Sequence, residues 1–228
     1  MDFLLIILWI CAITLFSCFG AWYARKYNTP DALIGLYVAF VLISNIIAFK
    51  VVAYDFGFAV FFADAATLVF SVTFLLTDLV NEKFGRKETQ KMILIAFVTQ
   101  VAVNFFIWLA LMMPSADFWT YSDAFNTIFG FAPRLMVASW ISFLICENID
   151  AYVFDWFKKK THGKNLWMRN VFSSLPAMFL DSIIFTTLAF YGVQPLFEMI
   201  VGLIVVKWFV GIINIPFMYL NRWIMYRK

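Results

Sequence analysis

Charged side chains are scarce in this chain of 228 residues. Asp, Glu, Lys and Arg make up 14% of the sequence, whereas 64% of the residues are hydrophobic and 21% are aromatic. A soluble domain is only about 45–50% apolar, so the composition excludes a soluble globular fold. It is typical of a polytopic membrane protein.

Histidine and cysteine offer little for catalysis or metal binding. The single histidine, His162, lies in the basic segment KKKTHGK and is interpreted as a solvated loop residue. The three cysteines fall within apolar runs, so free thiols are expected rather than a disulfide or metal framework. Because no set of His, Cys and carboxylates has metal-ligand spacing, neither a metal nor another cofactor is predicted.

Motifs for ATP hydrolysis and nucleophilic catalysis are also missing. The sequence contains no GxxxxGK(S/T) loop and no serine with an evident base. An intramembrane enzyme that uses Glu147, Asp150 and Asp181 as acid and base is the weaker alternative. The chain is therefore predicted not to be an enzyme.

Seven apolar runs are long enough to cross a bilayer, which takes about 20 residues. They cover residues 3–22, 32–53, 57–80, 92–113, 133–157, 170–192 and 196–221. We predict an all-α polytopic membrane protein with about seven transmembrane helices in a single transmembrane domain, residues 1–228. The first run is predicted to be a retained span and not a signal peptide, because Asp2 precedes it and Arg25 and Lys26 follow it.

Lysine and arginine fall on alternate connections between these runs, as expected for loops that stay in the cytoplasm. Of the 17 cations, 14 follow the first, third, fifth or seventh run. The pattern predicts a multi-pass protein of the cell membrane with its N-terminus outside and its C-terminus in the cytoplasm. The net charge of +3 then reflects topology, so the expected partner is the lipid bilayer and not a nucleic acid.

The three remaining cations lie within or beside apolar runs. Lys50 and Arg134 fall near predicted outer ends, where a long side chain can snorkel to the headgroups. Lys207 lies roughly 17 Å into the last run at 1.5 Å per residue, and Asp181 reaches a similar depth in the run before it. A charge at the bilayer centre costs at least about 2.5–3.5 kcal/mol, so each should face a partner or a polar cavity.

Polar or small side chains form stripes at helical spacing on most of the runs. The stripes consist of Asp64, Thr67, Ser71 and Asp78; Gln100 and Asn104; Ser139, Ser142, Glu147 and Asp150; Asn170, Ser174, Ala177 and Asp181; and Lys207, Gly211, Asn214 and Asn221, with Ser44 and Asn45 on the second run. A single polar residue usually makes an interhelical hydrogen bond. So many stripes favour a polar cavity enclosed by residues 32–221, with residues 1–31 as a peripheral span.

Five segments, in this order, resemble the queuosine precursor transporter family, also called the vitamin uptake transporter family. They are SNIIAFK, TDLVNEKFGRKE, RLMVASWISFLICENIDAYVFDW, LWMRNVFSS with the following DSIIF, and Lys207 with IPF. The resemblance covers about residues 32–220. It departs at Glu147, where Gln is expected in many relatives.

The resemblance implies a six-helix core like the substrate-binding component of energy-coupling-factor importers, plus one extra N-terminal helix. It also implies import of 7-deazaguanine-type bases, which are queuosine precursors for tRNA modification. Glu147 and Asp150 are expected to hold the donor edge of this purine-like small molecule, and Lys207 to pair with Asp181 at the floor of the site. The predicted substrate-binding residues are Asn45, Arg134, Glu147, Asp150, Asn170, Asp181 and Lys207.

The segment NEKFGRKETQK follows the third run and has two interpretations. In the first, Gly85 ends a helix, and Glu82 and Lys83 lie on a solvated end. In the second, Asp78 or Glu82 grips a cation and forms a gate or an ion-coupling site.

Three functions remain open at this point. The first is a secondary or facilitative importer, and the alternative is a substrate-capture subunit for another vitamin-like molecule that needs a separate ATP-driven module. The third is a structural or enzyme-like membrane protein. No GxxxG motif is present, so the oligomeric state stays open, with a homodimer as one option.

Overall fold

The structure, a computed structural model, describes residues 3–48, 50–57, 59–130, 132–162, 164–192 and 195–227. Its elements are α1 (Phe3–Tyr27), α2 (Asp31–Ile47), β1 (Val51–Asp55), β2 (Val60–Asp64), α3 (Ala66–Phe84), α4 (Arg86–Met112), α5 (Ser122–Gly130), α6 (Ala132–Lys160), α7 (Leu166–Phe190) and α8 (Leu196–Tyr226). The predicted helical membrane fold is confirmed in this coarse sense.

Helices α1, α4, α6, α7 and α8 are long and apolar enough to cross a membrane. Helix α2 is apolar but has only 17 residues, and α3 is rich in polar side chains. The structure therefore supports a multi-pass protein with five such helices among the described residues. The count of seven spans stays a prediction.

The predicted spans 32–53 and 57–80 are wrong where they approach each other, because Val51–Asp55 and Val60–Asp64 are the two strands of an antiparallel hairpin. Strands β1 and β2 pair from Val51 opposite Asp64 to Asp55 opposite Val60. At the turn Gly57 has a φ of +83°, which favours glycine, and its N–H donates to Asp55 Oδ1 at 2.8 Å. The β-branched and aromatic residues of the two strands suit a pleated surface, yet their apolar character also satisfies the pattern of a membrane span.

The hairpin packs tightly on α8. Tyr54 and Ala63 form a buried apolar cluster with Leu203 and Val206 of that helix. A Cβ atom at Gly202 would lie 2.0 Å from the carbonyl oxygen of Phe62, so only glycine allows this approach. We call this side of the molecule the hairpin end.

Helix α3 is the central element of the bundle. It packs against α2, α4, α6 and α8, and every residue from Ser71 to Glu82 is buried. This enclosure provides partners for its many polar side chains, which would be costly in lipid. Gly85, with a φ of +85°, ends α3 and precedes α4, as predicted. We call this side the Glu82 end.

Helix α1 packs against α2 and α8. Its contacts lie mainly on one side of the bundle, and large apolar residues such as Leu15 and Phe19 are exposed. The division into a peripheral span, residues 1–31, and a transport core, residues 32–221, stays a prediction.

Candidate functional site

A small, partly open cavity of about 90 Å³ lies beside the base of the hairpin. Its walls come from β2 and from helices α2, α3, α4, α6, α7 and α8. The lining residues are Ser44, Asn45, Ala48, Asp64, Ala66, Thr67, Phe70, Asn104, Leu135, Met136, Ser139, Asp181, Phe185 and Lys207. The volume is smaller than the roughly 300–1,000 Å³ that is usual for small-molecule sites, so the cavity is small in this conformation.

The predicted ion pair between Lys207 and Asp181 is present in this cavity. The Lys207 ammonium group contacts Asp181 Oδ2, and both side chains are almost fully buried. Ser142 donates a hydrogen bond to Asp181 Oδ1 at 2.5 Å. An ion pair out of water needs such additional bonds to offset desolvation, so the arrangement fixes both charges at the wall of the cavity.

Asp64 adds a second carboxylate that was not among the predicted binding residues. It is the last residue of β2, is 8% exposed and accepts a hydrogen bond from Thr67 Oγ1 at 3.0 Å. The cavity therefore holds two carboxylates, Asp64 and Asp181, beside one cation, Lys207. A ligand that presents N–H donors can form hydrogen bonds with the carboxylate that Lys207 leaves unpaired.

Neutral polar groups and aromatic faces complete the lining. Asn45 donates to Gln100 Oε1 at 2.9 Å and accepts from Ser139 Oγ at 3.1 Å, so its amide is held in one orientation. Phe70 and Phe185 provide apolar walls. The stripes predicted from helical spacing contained Asp64, Asn104 and Ser139, but spacing alone did not indicate that they lie at the level of the cavity.

Glu147, Asp150 and Asn170 are not among the residues that line the cavity. Glu147 accepts hydrogen bonds from Thr73 and Thr77 at 3.1 and 2.8 Å. Asp150 accepts from Ser174, and Asn170 donates to Asp78. Asp78, Glu147 and Asp150 are fully buried, and we call them the buried carboxylate cluster. Their predicted roles in binding the base stay predictions.

Arg134 lies elsewhere, at the C-terminal end of α7. Its guanidinium donates to the carbonyl oxygens of Leu188 and Tyr191, both at 2.8 Å. These contacts satisfy carbonyls that a helix end leaves unpaired. Arg134 is exposed and does not line the cavity in this conformation.

Glu82 joins four helices at the opposite end of the bundle. Its carboxylate binds Arg169 of α7 at 2.8 Å, Arg222 of α8 at 3.1 Å and Lys158 of α6 at 3.5 Å. Glu82 is only 5% exposed. The interpretation of Glu82 as a solvated helix end is therefore wrong, and we call these four residues the Glu82 cluster.

Comparison with known proteins decides the family. The model of the family described as "putative vitamin uptake transporter" matches residues 64–221. The chain belongs to this family. A curated relative from Bacillus subtilis (strain 168), named "Probable queuosine precursor transporter", is 29% identical over 161 residues, which cover 69% of this chain and 70% of the relative. No solved structure matches the chain.

The region that matches the vitamin uptake transporter family includes almost all of the two charged clusters. The matched region begins at Asp64 in the cavity wall and ends at Asn221, so it contains the buried carboxylate cluster and most of the Glu82 cluster. The family and the relative are transporters and not enzymes, which sets aside the intramembrane acid–base enzyme. The likeness to energy-coupling-factor components stays a prediction.

Proposed function

We propose that the protein imports a 7-deazaguanine-type base across the cell membrane and binds it in the cavity at the hairpin end. The observation that carries this proposal is the cavity itself, with two carboxylates, one cation and aromatic walls, in a chain of this family. The name of the Bacillus subtilis relative suggests a queuosine precursor as the substrate.

The chemistry of the lining suits a flat heterocycle of this kind. The ring N–H and the exocyclic amine of a 7-deazaguanine can donate hydrogen bonds to Asp64 and Asp181. Its carbonyl oxygen can accept a hydrogen bond from Lys207. The rings of Phe70 and Phe185 can pack on its faces. In this arrangement Asp64 and Asp181 take the role that the sequence assigned to Glu147 and Asp150.

The distribution of cations supports an orientation. Lys158, Arg169 and Arg222 meet at Glu82, and Lys83 contacts the carbonyl of Ala24 at the same end. Cytoplasmic ends of membrane proteins collect such cations. In our proposal the Glu82 end faces the cytoplasm, the hairpin end faces outward, and the Glu82 cluster is the cytoplasmic gate.

Binding is tested by the thermal stability of the purified protein with 7-deazaguanine, guanine, adenine and hypoxanthine. A ligand that binds only the native state raises its stability, by about 2.7 kcal/mol at a hundredfold excess over Kd. We expect 7-deazaguanine to raise the Tm by roughly 5 °C or more at such an excess.

Asn45→Ala and Asn148→Ala form a matched pair of variants for this measurement. Asn45 lines the cavity, whereas the Asn148 amide donates to the carbonyl of Leu144 in its own helix, at 2.8 Å. Asn45→Ala should reduce the stabilisation by 7-deazaguanine, and Asn148→Ala should keep it. Equal stabilisation by all four bases would contradict the proposed substrate, and co-purification of an ATPase would favour the substrate-capture alternative.

A further inference from the structure

Asp78 and Asp150 face each other across Ser174 in the middle of the bundle, and Ser173 lies beside Asp150 as a second hydroxyl. Asp78 comes from α3, Asp150 from α6 and Ser174 from α7. The Ser174 hydroxyl lies 3.0 Å from Asp150 Oδ1 and 3.5 Å from Asp78 Oδ2. Both carboxyl groups have no exposed surface. Since a serine hydroxyl has only one proton to donate, it cannot satisfy both carboxylates at once.

Each carboxyl group also carries one bare oxygen. Among the described residues, Asp78 Oδ1 and Asp150 Oδ2 are buried without a hydrogen-bond partner. The other oxygen of Asp78 accepts from the Asn170 amide at 2.5 Å. A buried ionised oxygen without a partner is strongly unfavourable, whereas a proton on it removes the charge. The two bare oxygens are therefore the places where a proton fits.

The charged groups around Asp78 and Asp150 also favour a proton on one of these two carboxyl groups. Glu147 on α6 adds a third buried carboxylate near Asp78, and Tyr37 on α2 faces both Glu147 and Asp150. Arg169 on α7 is the cation that acts on Asp78, but its guanidinium nitrogens bond both oxygens of Glu82, at 2.8 and 3.3 Å. Three ionised carboxylates this close together would repel each other strongly at low dielectric.

We propose that Asp78 and Asp150 share a proton and that this pair couples import of the base to the proton gradient. The proton site rests on the geometry alone, whereas the coupling rests on the proposed function. A proton from the outer face forms an O–H bond on one bare oxygen. That bond breaks when the Glu82 end opens, and the proton passes to water in the cytoplasm.

The position of the pair between the two ends fits this cycle. Asp78 lies eleven residues beyond Thr67 of the cavity wall, roughly 16 Å along α3, and one turn before Glu82. A carboxyl pair between a binding cavity and a closed end can exchange its proton with one face at a time. Ionisable groups at such depths commonly form proton relays in transporters.

The proton itself is detected by infrared spectroscopy of the purified protein without substrate. We expect wild type at neutral pH to show the C=O stretch of a protonated carboxyl, and Asp78→Asn and Asp150→Asn each to remove or shift it. Asp155→Asn is the control, because Asp155 pairs with Lys159 near the end of α6 at 2.7 Å. An unchanged band in both cluster variants, or no band in wild type, would overturn the proton site.

Ser174→Ala is the second variant, which keeps both carboxyl groups and removes only the bridge. We expect it to shift the band and to retain the fold, as checked by gel filtration and thermal unfolding. If Asp78→Asn and Asp150→Asn fail to fold, Ser174→Ala still tests the proposal. The serine contacts the oxygen of each carboxyl group that does not carry the proton, Asp78 Oδ2 and Asp150 Oδ1, so its loss should shift the C=O stretch. A band that Ser174→Ala leaves unchanged would contradict a protonated carboxyl at this pair.

Coupling is measured in proteoliposomes with labelled 7-deazaguanine and an inward-directed proton gradient. With one proton per base, wild type should accumulate the base up to about tenfold per pH unit. Asp78→Asn and Asp150→Asn should still exchange external for internal base but should not accumulate it. Exchange without accumulation in wild type would refute coupling and leave the importer intact. No exchange in wild type, with the infrared result as expected, would refute the importer and leave the proton site.

Discussion

Asp64 is the residue on which recognition of the base depends most directly in our proposal. It ends β2 in the cavity wall and accepts a hydrogen bond from Thr67. Replacing it by Asn removes the charge but keeps the shape. Because a hydrogen bond to a charged group is worth about 1.5–3 kcal/mol, we expect Asp64→Asn to weaken binding of labelled 7-deazaguanine to the purified protein roughly tenfold or more.

Glu147→Gln is the matched comparison for Asp64→Asn. Glu147 is fully buried, and its two oxygens accept from the hydroxyls of Thr73 and Thr77. In glutamine the oxygen can accept from one hydroxyl, and the amide N–H can donate to the other. Affinity should therefore change little in Glu147→Gln. If Glu147→Gln lost more affinity than Asp64→Asn, Glu147 would be the residue that binds the donor edge of the base, as expected in the sequence analysis.

Depth in the membrane predicted part of the site. Lys207 and Asp181 lie at similar depth, and an unpaired charge there is costly, so each was expected to face a partner or a polar cavity. The pairing of the two was expected from the family resemblance. Helical spacing could not predict which residues line the cavity. It puts Ser139 and Glu147 on one stripe of α6, but Ser139 lines the void and Glu147 is enclosed by threonines. The level at which a cavity opens depends on the packing of several helices.

At the scale of elements, the contact between the hairpin and α8 is the most sensitive to a small change. A Cβ atom at Gly202 would lie 2.0 Å from a backbone oxygen of β2, whereas one at Gly35 of α2 would have nothing within 4 Å. We expect Gly202→Ala to lower the free energy of unfolding by about 1–3 kcal/mol, as overpacking does. Thermal unfolding of the purified variants measures this as a drop in Tm of several degrees.

Gly35→Ala controls for the general effect of alanine in a helix. Alanine has the higher helix propensity by about 1 kcal/mol, so this variant should match or exceed wild type in Tm. If Gly202→Ala were as stable as Gly35→Ala, the hairpin would not be held against α8 in the way described.

The hairpin is also the element that the sequence could not reveal. The composition of residues 51–64 is apolar enough to extend the two neighbouring runs, and hydropathy does not separate a buried strand from a helix segment. Only Asp55 and Gly57 provide a turn signal. Gly85, in contrast, follows polar residues at the end of a long run, and the helix end there was predicted correctly.

At the scale of the whole molecule, two charged regions lie at opposite ends of one central helix. The chain from Asp64 through α3 connects the cavity wall to Glu82, and the buried carboxylate cluster lies between them. Alternate placement of Lys and Arg on the loops predicted that the cations share one end, because the translocation machinery retains them in the cytoplasm. It could not predict that three of them, from α6, α7 and α8, converge on one carboxylate of α3.

This convergence makes Glu82→Gln a test of the cytoplasmic gate. Glutamine keeps hydrogen-bond acceptance but removes the charge that holds Arg169, Arg222 and Lys158 together. The Glu82 end should then open more readily, while the distant cavity is unchanged. We expect the initial rate of uptake of 7-deazaguanine into proteoliposomes to change several-fold, with the affinity of the purified protein close to wild type.

Glu88→Gln is the control for this variant, because Glu88 pairs with Lys91 on the exposed side of α4, and exposed pairs contribute little. Its uptake rate and affinity should both equal those of wild type. Loss of a buried charge partner can also destabilise the fold, so stabilisation of Glu82→Gln by the base is measured first. A gate controls the transport rate and leaves the binding site unchanged. If a folded Glu82→Gln protein lost affinity for 7-deazaguanine and uptake rate to the same extent, the gate would be contradicted.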